Sequence, residues 1–161
     1  MKNSVLINFI NLTSNEKEMV LAWRNHPNIK RWMYTQEDIS LENHLNFIKS
    51  LENNNEKLYF LVKKEDEYIG VIDFTDLHNS HIYFGLYANP MTKVLGVGRI
   101  LEQISIDYAF DVLKVNGLQL EVFADNIQVR NLHKKFNFKE TGTKMINNKE
   151  VICMELKNEN R

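Results

Sequence analysis

Cysteine occurs once in the 161 residues, as Cys153. That excludes an internal disulfide and fits a reducing compartment. Set in Val151-Ile152-Cys153-Met154, it reads as a buried strand residue rather than a nucleophile. Two prolines and six glycines are too few for a flexible linker or a low-complexity tract. Neither sign of charge dominates. The net charge of −1 offers no basic field for nucleic acid. No apolar run approaches the roughly 18 residues that cross a bilayer, and Met1 to Leu6 lacks the apolar core and cleavage site of a signal peptide. The expectation is a cytoplasmic protein with no nucleic-acid or membrane partner.

What remains is an ordinary globular mixture, 43% hydrophobic and 25% charged. It suits one domain over 1–161 with a core of about 4–157. Val5 to Ile10 reads as a strand. Thr13 and Glu16 stand as in a capping box, and a helix through Met19, Val20, Leu21 and Trp23 stops near Pro27. Ile29 to Tyr34 is one helical turn plus loop. Ser40 caps a helix carrying His44, Phe47, Ile48 and Leu51. Strands follow at Leu58–Val62, Tyr68–Phe74 and His81–Tyr87. A helix runs from Arg99 to Leu113, a strand from Leu118 to Phe123, and a short helix from Asn126 to Phe136. Two last strands meet at Asn147-Asn148-Lys149, and the tail 157–161 reads as frayed. The order β-α-α-β-β-β-α-β-α-β-β predicts an α/β fold, a mixed sheet with helices on both faces.

The most informative stretch is Lys93-Val94-Leu95-Gly96-Val97-Gly98-Arg99-Ile100-Leu101. It lies between a strand with its Asn89-Pro90 turn and an amphipathic helix. Two glycines there let the backbone turn tightly and approach a ligand. The helix start offers unpaired N–H groups and a positive dipole end, which suits a pyrophosphate. An ordinary tight turn reads equally well from the two glycines alone. The spacing is neither that of a P-loop nor the dinucleotide fingerprint, which needs glycine where Leu101 stands. His78 and His81 lie in a polar turn without a cysteine or carboxylate pair, so no metal site is expected.

Lys93-x-x-Gly96-x-Gly98 resembles the Gln/Arg-x-x-Gly-x-Gly/Ala loop of the GNAT acetyltransferases. A second segment resembles the same family: Val122-Phe123-Ala124-Asp125-Asn126, then Val129, Leu132, His133 and Phe136-Asn137-Phe138. The resemblance covers nearly the whole chain. Trp23-Arg24-Asn25-His26-Pro27, Trp32-Met33 and Ser40-Leu41-x-x-His44-Leu45-x-Phe47-Ile48 resemble its nucleotide-sugar branch. So do Gly70-Val71-Ile72-Asp73-Phe74 and Phe84-Gly85-Leu86-Tyr87-Ala88-x-Pro90.

The resemblance implies a GNAT fold with a mostly antiparallel mixed sheet and acetyl-CoA as co-substrate. It implies acetylation of the 4-amino group of UDP-4-amino-4,6-dideoxy-N-acetyl-β-L-altrosamine, a step of pseudaminic-acid biosynthesis. The donor would lie between splayed strands at Phe84–Tyr87 and Leu118–Phe123. The Leu86 N–H would polarise its carbonyl, beside Tyr87. Its phosphates would meet Lys93, Leu95, Gly96, Val97, Gly98, Arg99 and Ile100. Gly85 would mark a bulge or close approach. Asn126 would hydrogen-bond the donor or cap the last helix.

His133 stands where the family usually has a tyrosine acid. It would replace that acid, or line the site while the thiolate takes a solvent proton, or be a surface residue beside Lys134 and Lys135. Arg24, His44, Asp73, Thr75 and Tyr87 would meet the acceptor, with Asp73 orienting or deprotonating the amine. Trp32, Met33 and Tyr34 would form an apolar wall. Two other readings stay open: a protein N-terminal acetyltransferase of the kind that modifies ribosomal proteins, and a non-catalytic acyl-CoA-binding domain. Strands near the C-terminus could pair two subunits into a homodimer.

Overall fold

The computed structural model describes residues 3–161. One seven-stranded sheet runs in the order β1-β2-β3-β4-β5-β7-β6. Its strands are β1 (Ser4–Asn8), β2 (Lys57–Lys64), β3 (Glu67–Thr75), β4 (His81–Ala88), β5 (Gly117–Phe123), β6 (Lys139–Ile146) and β7 (Lys149–Lys157). Every neighbouring pair is antiparallel except β4 with β5. The helices are α1 (Ser14–Asn25), α2 (Pro27–Lys30), α3 (Leu41–Ser50), α4 (Val97–Asp107) and α5 (Ile127–Lys135). The mixed, mostly antiparallel sheet that was expected is present, with the strands in the expected sequence order. There is one short helix more, since the turn expected at Ile29 to Tyr34 is the helix α2, starting at Pro27.

Strand alternation gives each face of the sheet its own core. Ile72, Phe74, Ile82, Phe84, Leu118, Leu120 and Met154 pack with Leu101 and Ile104 of α4. Leu61 and Val71 point to the opposite face and pack with Val20 and Trp23 of α1, Ile48 of α3, and Phe9 and Leu12. The helices thus cover both faces, as two buried sheet surfaces require.

The local signals held with small shifts. The Thr13 hydroxyl accepts from the Glu16 N–H at 3.1 Å, and the Thr13 N–H donates to Glu16 Oε1 at 2.9 Å. The Ser40 hydroxyl accepts from the Asn43 N–H at 3.1 Å. Asn147 and Asn148 both take positive φ, the backbone of a two-residue hairpin turn with the right twist.

Several expectations need correction. The first strand ends at Asn8, where the Asn8 side chain accepts from the Ile10 N–H and starts a 3₁₀ turn. α4 begins at Val97, two residues before Arg99. It widens after Asp107 into a turn whose Leu113 N–H reaches back to the Tyr108 carbonyl. The tail is not frayed: the Asn137 side chain donates to the Asn160 carbonyl and Arg161 pairs with Asp111. Cys153 is half-buried rather than buried. No helix among the described residues is long and apolar enough to cross a membrane.

Glu16 also accepts from the Tyr68 hydroxyl at 2.8 Å, so the cap ties α1 to β3. Thr13→Ala should lower stability by about 1 kcal/mol, read from the urea midpoint at unchanged slope.

Candidate active site

The parallel pairing of β4 with β5 joins only His81–Tyr83 to Gly117–Gln119. Beyond it the strands diverge. The Ser80 carbonyl accepts from Asn116 and Gly117, while the Asn89 N–H donates to Ile69 of β3. Successive residues of a strand turn their backbone groups to opposite edges. Phe84, Leu86 and Ala88 therefore present theirs to the gap. Just past β5 the Ala124 N–H donates to the Glu150 carbonyl of β7, so Glu121 and Phe123 face the gap from the other side. An opening inside a sheet offers a row of donors and acceptors to an extended ligand. A cavity of about 630 Å³ fills it, lined by Phe84–Ala88, Leu120–Phe123, Gly98 of α4, and side chains of α1, α3 and α5.

One end of the gap meets the start of α4. Gly96 is the helix N-cap, at φ 70°, with no side-chain cap bond. Only glycine adopts that left-handed geometry without penalty, and the uncapped turn leaves N–H groups free. Lys93 and Arg99 are exposed there, and Leu95 is 92% exposed. Gly98 serves a packing purpose the sequence did not suggest. A Cβ there would stand 3.3 Å from the Leu132 side chain of α5.

The other end lies on the α1–α3 face. Tyr59, Asp73 and Gly85 are register partners across β2, β3 and β4. The pairing at Gly85 contains no bulge, contrary to one of the two expectations. The glycine permits a close approach instead: a Cβ would lie 2.9 Å from Asp73 Oδ2. Burial raises the Asp73 carboxyl from 3.8 to about 7, with Lys57 pulling the other way. Burial also raises Tyr59 and Tyr87, helped by the Asp73 charge.

Arg24 joins them. Its Nη2 donates to the Thr35 carbonyl at 3.2 Å, while Nη1 is buried without a partner. Burial lowers its pKa, yet a guanidinium keeps its charge in proteins. The cavity therefore holds an uncompensated cation. His44 is buried, burial lowers its pKa, and its Nε2 lies 2.9 Å from the Lys17 carbonyl. It lines the cavity, as do Trp32 and Met33. Thr75 ends β3 opposite Lys57 and Tyr83 and lies outside the cavity lining.

His133 is not a surface residue. It is 5% exposed, packed against the rings of both Phe84 and Phe138. Its Nδ1 lies 2.8 Å from Oε1 of Glu102, a carboxyl with no exposed surface. Asn126 is the N-cap of α5, and its carbonyl accepts from the Arg130 N–H, but its side chain makes no cap bond. Asn126 also lines the cavity.

The model of the acetyltransferase (GNAT) domain matches residues 7–139. This chain belongs to the GNAT acetyltransferases. It is 45% identical over 133 residues to acetyltransferase PseH of Campylobacter jejuni subsp. jejuni serotype O:23/36 (strain 81-176), covering 83% of each chain. The crystal structure of Campylobacter jejuni N-acetyltransferase PseH in complex with acetyl coenzyme A is 35% identical. It superposes with a TM-score of 0.79 over 96% of this chain and 99% of that one. Spermidine N-acetyltransferase from Vibrio cholerae, solved with CoA and spermine, shares the fold at a TM-score of 0.87 and 18% identity, over 99% of this chain and 98% of that one.

In this GNAT enzyme, sequence reasoning missed three contributors. Glu102 looks like an exposed helix charge, but it is one turn from Gly98 and shares a stripe with Ser105 and Ala109. That small-residue stripe was its only signal. Tyr59 was read as a plain strand residue. The third is a strap on the loop after α2. Tyr34 donates to Glu121, Lys144 pairs with Glu121, and the Asn147 side chain donates to the Tyr34 carbonyl at 3.1 Å. Tyr34 is thereby committed to the strap, whereas Trp32 and Met33 face the cavity. Elsewhere His78 pairs with Glu56 and His81 with Glu155. No group of three or more metal-ligating side chains is found among the described residues.

The Asp73 shift has a testable sign. With a folded value of about 7 against 3.8, the native state holds a proton that the unfolded chain loses. Stability from this group is therefore lost as pH rises through that window. Asp73→Asn should match the natural protein near pH 4 and exceed it near pH 8 in urea midpoint.

Proposed function

We propose that this chain transfers the acetyl group of acetyl-CoA to the 4-amino group of UDP-4-amino-4,6-dideoxy-N-acetyl-β-L-altrosamine, a step of pseudaminic-acid biosynthesis. The observation that carries the reading is the gap between β4 and β5. It joins an uncapped helix start at one end to a half-buried carboxyl and a guanidinium with an unpaired nitrogen at the other. The first end suits a pyrophosphate and the second an anionic acceptor bearing an amine. The PseH relatives, one of them solved with acetyl coenzyme A, support the same donor and acceptor.

Acetyl-CoA supplies an acetyl group activated as a thioester. The residues of the chain do the rest. Backbone groups of Leu86 and Glu121 hold the donor's extended arm, beside Tyr87 and Asn126. The Leu86 N–H donates to the thioester oxygen and stabilises the charge that develops there. Gly96 to Ile100, with Lys93 and Arg99, hold the phosphates. Asp73, whose value near 7 suits a base at neutral pH, takes a proton from the amine. As the C–N bond forms and the C–S bond breaks, the electron pair of that bond moves to sulfur. His133 gives the sulfur a proton from Nε2. Solvent restores the His133 proton and removes the one on Asp73. Arg24 meets the nucleotide diphosphate and His44 lines its pocket, whereas Thr75, outside the cavity, takes no part.

The test is release of free CoA thiol from acetyl-CoA, with UDP-linked 4-amino sugars and with peptides bearing free N-termini in parallel. Turnover with the nucleotide sugar alone, and a product heavier by one acetyl group, is expected. Turnover only with peptide would move the chain to the protein-acetylating readings, and donor binding without turnover would make it a binding domain. Arg24→Lys should raise the acceptor KM about tenfold with donor affinity unchanged, because the forked guanidinium is lost. A homodimer formed through the C-terminal strands belongs to the same proposal and is read by light scattering.

A further inference from the structure

We propose that Glu102 is the positioning residue for His133. It holds the ring hydrogen on Nδ1, so that Nε2 is the nitrogen that meets the leaving sulfur. The proposal rests on the reading of His133 as the acid.

Glu102 sits mid-helix on the buried face of α4, flanked by Leu101, Ile104, Ser105 and Ile106, all buried. A carboxyl in such a place is costly to desolvate, and an apolar or neutral replacement usually packs at least as well. Stability therefore gives no reason for it. Its bonding is also incomplete. Oε1 meets His133 Nδ1 at 2.8 Å, whereas Oε2 is buried without a partner. Glu102 and His133 line the same cavity as Gly98 and Asn126.

Two aromatic rings also pack against the imidazole. Phe84 of β4 and Phe138, just before β6, stand edge-on or tilted to the ring at centroid distances of 6.2 and 5.7 Å. Lys134 and Lys135, next along α5, are exposed. The carboxyl of α4 is thus the one ionisable group bonded to this ring. An ionised carboxylate can only accept, so the hydrogen of their shared bond lies on Nδ1. That leaves Nε2 to carry and release the transferable proton. After transfer to the thiolate the ring is neutral, keeps its Nδ1 hydrogen against Glu102, and is reprotonated at Nε2 from solvent. A carboxylate that fixes the tautomer and orientation of a working imidazole is a recurring device.

A tyrosine acid needs no such partner, since its hydroxyl is both the donor and the only titrating group. Glu102 is the accessory that makes a histidine usable at this position.

The experiment compares Glu102→Gln, His133→Ala and the double variant, with kcat, donor affinity and melting temperature measured for each. Glu102→Gln should keep its fold and donor affinity yet lose kcat on the order of tenfold to a hundredfold, the scale on which imidazole-orienting partners act. In the His133→Ala background the same change should have no further effect. Full kcat in Glu102→Gln, or an equal loss in both backgrounds, would overturn the proposal and leave the acid role of His133 intact. Full kcat in His133→Ala would overturn that role and the proposal with it. The ring nitrogen resonances of the unmodified protein provide a check that needs no variant. Neutral His133 should carry its hydrogen on Nδ1, and a hydrogen on Nε2 would overturn the assignment.

Discussion

Three residue pairs between β4 and β5 hold the two halves of the sheet together, and the site exists because there are no more. Backbone groups left unpaired inside a sheet are costly unless something else meets them. The molecule tolerates the gap because other contacts span it. α4 leaves β4 and packs Leu101 and Ile104 into the same core as Leu118 and Leu120 of β5. Phe84 of β4 stacks on Phe138 at 5.6 Å. The strap from Tyr34 to Glu121 and Asn147 joins the α2 side to β5 and the β6–β7 hairpin. The hydrogen bond from α5 to α4 through His133 and Glu102 closes the other side.

Buried and half-buried polar groups gather along this gap. Asp73, Arg24, His133 and Glu102 all line it, and each is held in a state that packing alone would not select. Asp73 keeps its place because Gly85 across the strand lacks a side chain. Arg24 keeps an unpaired nitrogen, and Glu102 an unpaired oxygen. Groups so placed are out of water and short of partners, which makes them responsive to a ligand. The division of labour follows from position: cation and base on the α1–α3 face, histidine and carboxyl on the α4–α5 face, and the donor's path between them.

Much of this architecture was legible along the chain because its signals are local. The Thr13–Glu16 box, the Ser40 cap, the paired Asn147-Asn148 turn and the alternation in β2, β3 and β4 each depend on residues a few positions apart. What went unread is of the other kind. Gly98 has Leu132 of another helix as its nearest neighbour, a contact no local signal shows. Asn126 takes the N-cap place that Asp-Asn before a helix suggests, but without a side-chain cap bond, and it also lines the cavity. For His133 a surface position beside two lysines was one of three open readings, and Glu102 was not singled out. Their partners lie 31 residues apart in sequence, and no periodicity announces such a pair.

The chain's own residues determined the order of elements, the mixed sheet and the GNAT family, since propensities, caps and apolar alternation act over one or two turns of backbone. They also determined which loop would begin α4, because Gly96 alone tolerates its left-handed geometry without penalty. The length of the β4–β5 pairing, the hole opposite Asp73 and the burial of Glu102 against His133 were decided only in three dimensions. Each depends on how far two strands or two helices separate after packing, and that distance is set by side chains from both cores at once.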